Sequence, residues 1–429
     1  MTAKIDERAV IRRIAWRTLP LILLSYFVAL VDRANISFAA TTMNADLGFS
    51  ETIYGMGASA FFLGYSLLEV PSNLLLARFG ARVWLARIML TWGLISILTA
   101  FVQTPMQFYA MRFALGVAEA GFYPGVIFYL SIWFPGEHRA WAVSRFYIAL
   151  PLSYIVMGSI AAPLLAMHGW LGLHGWQWLL VIEGLPSVLL AIVLLFALPD
   201  RPGSVRWLDD AEQRWLEGVL KREAEAAGPA SHNILRALAN RFVLMLGLAN
   251  ALLYLAVNAV AFSAPKLLAH GTGYDVAGVG RVVSAGGVAM AAALLSVSLL
   301  AGRTVPRSLL AYAGLMLTAA AGLAVLWLGG TAASTICGYI VFLAAGQTAG
   351  MLPLAIVSRL VPAADRAAGL AMTNTIAQAG AFFGPLLWGV LADWTGSYAL
   401  GVALLIPVAA GSALMGLVAR RASLGLSQG

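Results

Sequence analysis

Charged residues are scarce in this sequence: they make up 11% of its 429 residues, against about 25% in soluble domains. Apolar residues make up 61%, above the ~45–50% of soluble domains. This balance excludes an ordinary soluble domain and predicts an integral membrane protein. Alternating strand patterns of about ten residues are also absent, which excludes an outer-membrane barrel.

Cysteine chemistry and catalytic motifs are lacking as well. The single cysteine, Cys337, lies in an apolar run and cannot form an internal disulfide, so we interpret it as a small packing residue. The sequence contains no GxSxG elbow, no HExxH pair and no Walker loop, and its five histidines are not at metal-ligand spacing. We therefore predict that the protein is not an enzyme and needs no cofactor or metal. A gradient rather than ATP would then drive any transport.

Apolar segments separated by short breaks fill nearly the whole chain. A helix needs about 20 predominantly apolar residues to cross the hydrocarbon core of a bilayer. The breaks therefore predict an all-α integral membrane protein with twelve transmembrane helices, at 16–40, 51–77, 82–103, 106–134, 138–166, 176–198, 239–269, 274–302, 307–329, 331–361, 365–395 and 397–420.

The longest polar stretch, 199–236, divides the predicted helices into two sets of six. A midpoint linker of this kind is typical of transporters built from two repeats. We expect an N-terminal six-helix bundle at 1–198, a cytoplasmic linker at 199–238 and a C-terminal six-helix bundle at 239–429. Within the linker, apolar residues recur at helical spacing, which predicts an amphipathic helix. That helix would either brace the neighbouring helix ends or regulate the protein.

Basic residues are distributed unevenly between the loops. They cluster at the N-terminus, in alternate loops, at 201–241 and at 420–421, whereas the opposite loops hold Asp46, Glu51, Asp275 and Asp393 and few basic residues. By the positive-inside rule, both termini and the linker are predicted on the cytoplasmic side of the inner (plasma) membrane. The net charge of +8 then faces anionic lipid headgroups and requires no nucleic-acid partner.

One apolar segment, 111–135, contains two charges at membrane depth. Arg112 and Glu119 lie seven residues apart, so a helix places them on one face about two turns from each other. A charge at this depth costs at least about 2.5–3.5 kcal/mol and normally faces a polar interior or a pathway. We interpret Glu119 as a carboxyl group that takes up and releases protons, and Arg112 as a binding group for an anion. A structural, hydrogen-bonded role is the alternative for each.

Asp32 and Arg33 form a second charged position, in the sequence VDRAN of the first predicted helix. Adjacent residues point about 100° apart on a helix, so the two need not pair with each other. We interpret Asp32 as a second proton-accepting carboxylate. Arg33 would bind an anion, because its planar guanidinium can bind a carboxylate through two hydrogen bonds. A snorkelling pair near the outer headgroups is the alternative.

Other polar residues inside the predicted helices have weaker claims. Glu69 and Glu183 are predicted to be structural. Five uncharged residues are candidates for binding a substrate in a cavity, although each such residue is more often part of a helix–helix hydrogen bond. They are Tyr65, Tyr254, Asn258, Asn374 and Gln378.

Three segments carry a resemblance to a known family: LLEVPSNLLLARFGAR at 67–82, RFALGVAEAGFYPG at 112–125 and HGWQWLLVIEGLPSVLLAIVLLFALPDRP at 174–202. With them the sequence resembles the major facilitator superfamily, and in detail its anion:cation symporter branch, which includes the solute carrier 17 organic anion transporters. The likeness runs from VDRAN at 31–35 to GPLLWGVLADWTGSY at 384–398.

The resemblance implies two pseudo-symmetric six-helix bundles around a central cavity, alternating access by rocking of the halves, and proton-coupled uptake of organic carboxylates. Six positions of this sequence match the branch's proton and substrate positions: Asp32, Arg33, Tyr65, Arg112, Glu119 and Asn374. The two acids match protonatable positions, the two arginines match its arginines, and the remaining two match positions that line the cavity.

Two features modify that expectation. Ala77 stands where the superfamily usually carries an aspartate in the loop between helices 2 and 3, which removes one partner of the usual gating charge contacts. Four aromatic residues, Phe61, Phe122, Tyr123 and Phe382, are expected to line the cavity and favour an acid with few hydroxyl groups.

We therefore expect a monomeric symporter that imports a small organic carboxylate together with protons. Two alternatives remain open. One is an antiporter or efflux carrier for a metabolite or drug. The other is a membrane sensor that binds its ligand without moving it.

Overall fold

The computed structural model describes residues 5–227, 239–300, 304–362 and 365–425, and this part of the chain forms sixteen α-helices. In chain order they are α1 Glu7–Leu47, α2 Glu51–Phe79, α3 Ala81–Thr99, α4 Pro105–Glu119, α5 Phe122–Trp133, α6 Gly136–Phe146, α7 Ala149–Leu165, α8 Gly175–Ala197, α9 Asp210–Ala227, α10 Arg241–Thr272, α11 Val276–Leu300, α12 Val305–Leu328, α13 Ala332–Ala349, α14 Leu352–Leu360, α15 Arg366–Thr395 and α16 Ala399–Gly425.

Twelve segments of these helices are long and apolar enough to cross a membrane, which confirms the predicted number. Helices α1–α8 supply the first six spans and α10–α16 supply the last six. The protein is therefore a multi-pass membrane protein whose two pseudo-symmetric halves surround a central cavity. Helix α1 begins at Glu7 rather than at the predicted residue 16, because the apolar side chains of Val10, Ile11 and Ile14 are buried.

Three of the twelve spans consist of two helices, with an interruption of two residues between them. The break between α4 and α5 follows Glu119 directly, because Ala120 has non-helical backbone angles and Gly121 has a φ of 87°. Breaks also separate α6 from α7 and α13 from α14. Broken helices at membrane depth are tolerated where the freed backbone is buried in protein or lines a cavity.

The two halves are joined mainly at one end of the bundle. We call it the acidic side, because its loops carry Asp46, Glu51, Asp275 and Asp393; the opposite end is the basic side. At the acidic side the carboxylate of Asp393 accepts hydrogen bonds from the backbone N–H groups of Glu51 and Thr52, at 3.0 and 2.8 Å. The Nζ of Lys266 lies 2.7 Å from a carboxylate oxygen of Glu51.

Towards the basic side the halves separate. There α6 packs on α1, α5 and α7 of its own half, and α14 packs on α10, α12, α13 and α15 of the other half. The space left between the halves is the central cavity, which reaches Arg139 and Arg366 at the basic side.

Helix α9 lies in the linker and is attached to the first half. Leu216 is fully buried, Glu212 pairs with Arg13 at 2.9 Å, and Glu223 pairs with Arg139 at 3.3 Å. These contacts tie the linker to α1 and α6.

Ala77, expected in the loop between helices 2 and 3, lies in the last turn of α2. At the start of α3, the carboxylate of Asp200 pairs with Arg82 at 3.0 Å and accepts its backbone N–H. Cys337 is exposed, so the interpretation as a packing residue is wrong.

Candidate functional site

A cavity of about 1120 Å³ lies between the two halves. Both halves line it, and most of its wall is aromatic or aliphatic. Charged, amide-bearing or phenolic residues that were singled out from the sequence and lie within the membrane spans make up nine of the lining residues: Arg33, Tyr65, Glu69, Glu119, Tyr123, Tyr254, Asn258, Asn374 and Gln378. A cavity with a few converging polar groups in a largely apolar wall is the usual form of a small-molecule site.

Arg33 and Glu119 form an ion pair in the cavity wall, joining α1 to the last residue of α4. The Arg33 side chain is 36% exposed and the Glu119 side chain is 5% exposed. Glu119 therefore lies behind the guanidinium, which keeps a face open to the cavity. The guanidinium carbon of Arg33 lies 5.3 Å from the ring centre of Phe61 and 5.8 Å from that of Tyr65. These two rings hold the cation in place by cation–π attraction.

Arg112 does not line the cavity. It is 2% exposed, and its Nε has no hydrogen-bond partner in the described part of the chain. Its guanidinium carbon lies 5.1 Å from the Phe61 ring centre and 5.9 Å from that of Phe262 in the other half. The Phe61 ring thus contacts both arginines, and Arg112 is covered by aromatic side chains in this conformation.

Asp32 also lies outside the cavity lining, and it faces α3. It is 2% exposed and accepts hydrogen bonds from Trp92 Nε1 at 2.7 Å, from Ser96 Oγ at 2.5 Å and from Asn35 Nδ2 at 3.1 Å. Glu183, predicted to be structural, is buried on α8 and does not line the cavity either. Of the two acids predicted to couple protons, only Glu119 faces the cavity.

The five predicted substrate contacts without a charge all line the cavity. Tyr65 is on α2, Tyr254 and Asn258 are on α10, and Asn374 and Gln378 are on α15. Their role in binding stays a prediction. Asn258 donates to the backbone oxygen of Tyr254 at 2.8 Å. Three of the four expected aromatic lining residues are in the wall, whereas Phe382 is not.

Sequence reasoning did not predict two contacts that cross the cavity between the halves. The Nδ2 of Asn374 donates to both carboxylate oxygens of Glu69, at 2.9 and 3.1 Å. The Nε2 of Gln347 donates to the hydroxyl of Tyr154 at 2.8 Å. Glu69 lies one helical turn from Tyr65 on α2, and that spacing was a usable signal that it shares the cavity face.

Comparison with known proteins agrees with this architecture. The model of the family described as the Major Facilitator Superfamily matches residues 22–354. A relative from Agrobacterium vitis, whose name describes a tartrate transporter, is 43% identical over 422 residues, covering 97% of this chain and 95% of the relative. A quinolone resistance transporter of Acinetobacter baumannii is 38% identical over 403 residues, covering 92% and 91%. The crystal structure of a D-xylose-proton symporter superimposes with a TM-score of 0.71 at 16% identity, covering 93% of this chain and 96% of that one.

Proposed function

The chain belongs to the Major Facilitator Superfamily, and we propose that within this family it is a symporter that imports an organic carboxylate together with protons. It is a membrane transporter and not an enzyme. Proton coupling, the direction of transport and the chemistry of the cargo are the parts that we propose.

The observation that carries the proposal is the ion pair of Arg33 and Glu119 in the cavity wall. While Glu119 is ionised, it competes with any incoming anion for the guanidinium. Protonation of Glu119 removes that competitor and leaves the donors of Arg33 for the carboxylate of the cargo. Proton binding and anion binding therefore favour each other, and by linkage each raises the affinity for the other by the same factor.

The anionic cargo is supported by the chemistry of Arg33 and by the relatives. A guanidinium carries five N–H donors in a planar fork that suits a carboxylate. Glu119 accepts from one nitrogen of this fork, and the open face of Arg33 presents the remaining cavity-facing donors. The name of the Agrobacterium relative gives tartrate, a small organic anion, as a first candidate to assay.

We place the basic side in the cytoplasm of a bacterium and the protein in its inner membrane, following the positive-inside rule. In that orientation the cavity opens inward, and the contacts of Asp393 and Lys266 close the outer side. Asp32 and Arg112 lie outside the cavity wall in this conformation, so their proposed parts in proton coupling and anion binding require a conformation in which they become accessible.

Substitution Glu119→Gln tests this mechanism in proteoliposomes. The vesicles are exposed to labelled tartrate outside, and for the exchange assay they also contain unlabelled tartrate inside. We expect the variant to lose accumulation driven by an imposed proton gradient and to keep exchange of internal for external substrate, because a neutral side chain at 119 leaves Arg33 free at all times. Glu183→Gln is the matched control, since it makes the same chemical change at a buried acid outside the cavity. Gradient-driven accumulation by Glu119→Gln would exclude Glu119 from coupling.

Efflux by antiport is the second candidate, and the quinolone resistance relative favours it. The two candidates differ in the sign of coupling. A symporter accumulates substrate when the outside is acidic, whereas an antiporter accumulates it when the inside of the vesicle is acidic. A sensor that does not transport would bind the anion and show no accumulation under either pH gradient.

A further inference from the structure

Glu69 is a carboxylate in the cavity wall that the proposed coupling mechanism does not use. It lies on α2, and its only hydrogen-bond donor within the described residues is Asn374 of the opposite half. It forms no ion pair with any arginine or lysine in that part of the chain. An ionised carboxylate near the middle of an apolar cavity requires a cationic or hydrogen-bonding partner, because desolvation without one is costly. A single amide donor satisfies only part of its acceptor capacity.

The other charges of the cavity are already compensated or lie at its mouth. Glu119 neutralises Arg33 from behind, and Glu223 pairs with Arg139 at the basic side. Arg366 is the first residue of α15, eight residues before Asn374, and therefore about 12 Å from it along the helix axis. Within the membrane spans the cavity thus presents two charged groups to a cargo: Arg33, whose positive charge is uncompensated once Glu119 is protonated, and Glu69, which has no cationic partner among the described residues.

Aromatic side chains line the cavity wall next to both charged groups. The guanidinium carbon of Arg33 lies 5.8 Å from the Tyr65 ring centre. Glu69 follows Tyr65 by four residues on α2, so the two residues lie one helical turn, about 6 Å, apart along the helix axis. Phe61 and Tyr254 also line the cavity. A flat ring in the cargo can pack on these aromatic side chains while its charged groups face Arg33 and Glu69.

A second carboxylate in the cargo would be repelled by the carboxylate of Glu69. At the low effective dielectric constant of a protein interior, like charges oppose each other and unlike charges attract more strongly than in water. An ammonium or other protonated nitrogen would instead donate a charge-assisted hydrogen bond to Glu69.

We propose that the cargo is a zwitterionic aromatic acid, whose carboxylate binds Arg33 and whose cationic nitrogen binds Glu69. This inference rests on the proposed function, since it names the substrate class of the same cavity. In the structure Asn374 occupies the acceptor atoms of Glu69. The cation of the cargo shares or replaces that contact, and so connects the two halves.

The test is equilibrium binding of two matched acids to the purified full-length protein by calorimetry. The acids are para-(aminomethyl)benzoate and para-(hydroxymethyl)benzoate, which have nearly the same shape. The first carries an ammonium group where the second carries a hydroxyl group. We expect the wild-type protein to bind the ammonium compound roughly tenfold or more tightly, as a charged hydrogen bond provides. Glu69→Gln should lose this preference, because glutamine still accepts from Asn374 but carries no charge. Glu183→Gln should keep it.

Equal binding of the two acids by the wild-type protein, or binding of neither, overturns the proposal, and this comparison needs no variant to fold. An undiminished preference in Glu69→Gln also overturns it. The proposed function is tested separately, by proton-driven uptake of para-(hydroxymethyl)benzoate, which carries one carboxylate and no ammonium group, and by the loss of that uptake in Glu119→Gln. Normal proton-driven uptake without an ammonium preference would therefore refute only the zwitterionic cargo.

Discussion

Glu119 and Asp32 are both buried acids of the first half, yet the structure gives them different surroundings. Glu119 ends a helix at a break in the cavity wall and pairs with one arginine. Asp32 is enclosed by three neutral donors, two of them on α3. A proton can reach Glu119 from the cavity, whereas a proton for Asp32 must pass the packing between α1 and α3. The geometry therefore supports Glu119 as the main coupling acid.

Substitution Asp32→Asn separates the contribution of Asp32 to stability from its contribution to proton coupling. An amide replaces one acceptor oxygen by a donor, so at least one of Trp92 and Ser96 loses its acceptor. We expect the variant to be destabilised by about 1–3 kcal/mol, seen as a lower midpoint of thermal unfolding in detergent. We also expect it to retain more gradient-driven accumulation than Glu119→Gln does.

The comparison of Asp32→Asn with Glu119→Gln is made at matched amounts of folded protein in the vesicles. An Asp32→Asn variant that is as stable as the wild type but has lost all accumulation would contradict this division of roles. It would place Asp32 in the coupling machinery, as its position in the sequence suggests.

At the scale of the element, the break between α4 and α5 sets where the Glu119 side chain points. The break depends on Gly121, whose φ of 87° lies in the region that a residue with a Cβ atom rarely adopts. Space is also limited there, because a Cβ atom at this position would meet the side chain of Ser72 on α2. Backbone angle and packing therefore both require glycine.

Substitution Gly121→Ala should destabilise the protein by about 1–3 kcal/mol, the usual cost of a residue held in such a backbone region. Thermal unfolding in detergent measures the loss, and proton-driven uptake should fall with it because Glu119 moves relative to Arg33. Gly314→Ala is the matched control. Gly314 is exposed on α12, and a Cβ atom added there would have no neighbouring atom within 4 Å, so alanine should be neutral or slightly stabilising. Equal effects of the two substitutions would show that the break does not depend on Gly121.

At the scale of the whole molecule, the contacts between the halves decide which side of the cavity is open. On the acidic side, the carboxylate of Asp393 receives the N-terminal N–H groups of α2, where the helix dipole also favours a negative charge. The hydroxyl of Tyr54 donates to the backbone oxygen of Phe262 at 2.7 Å in the same region. These bonds exist only while the acidic side is closed, so they stabilise the conformation described here.

Substitution Asp393→Ala should shift the protein towards a conformation that is open on the acidic side. The reporter is Ser37→Cys in a Cys337→Ser background, because Ser37 lines the cavity and is 5% exposed. A membrane-impermeant thiol reagent added on the acidic side should label this cysteine roughly tenfold faster in the variant, the effect of losing about 1.4 kcal/mol of closure energy.

Asp46→Ala is the control for that experiment. Asp46 is also on the acidic side, but it accepts hydrogen bonds from His174 and Trp176 at 2.7 and 2.9 Å, within its own half. Its removal should leave the labelling rate unchanged. Faster labelling in Asp46→Ala than in Asp393→Ala would show that local loosening, and not separation of the halves, exposes residue 37.

The sequence by itself determined the membrane spans, their number and their division into two halves. Hydropathy is a local property, and a chain in a bilayer must bury about 20 apolar residues for each crossing. The sequence alone was also enough to select four candidate residues, because polar groups at membrane depth are costly and few. They are Arg33, Tyr65, Glu119 and Asn374. The early start of α1 was missed because its first turns are basic on one face and apolar on the other.

Only the tertiary structure decided which of these residues meet. Helical spacing placed Arg112 and Glu119 on one face, but the rotation and crossing of α1 against α4 determine that Glu119 pairs with Arg33. The same packing encloses Asp32 against α3 and covers Arg112 with Phe61 and Phe262. Glu69 and Asn374 are 305 residues apart, and no local pattern could bring them together, because their contact depends on how the two halves are joined.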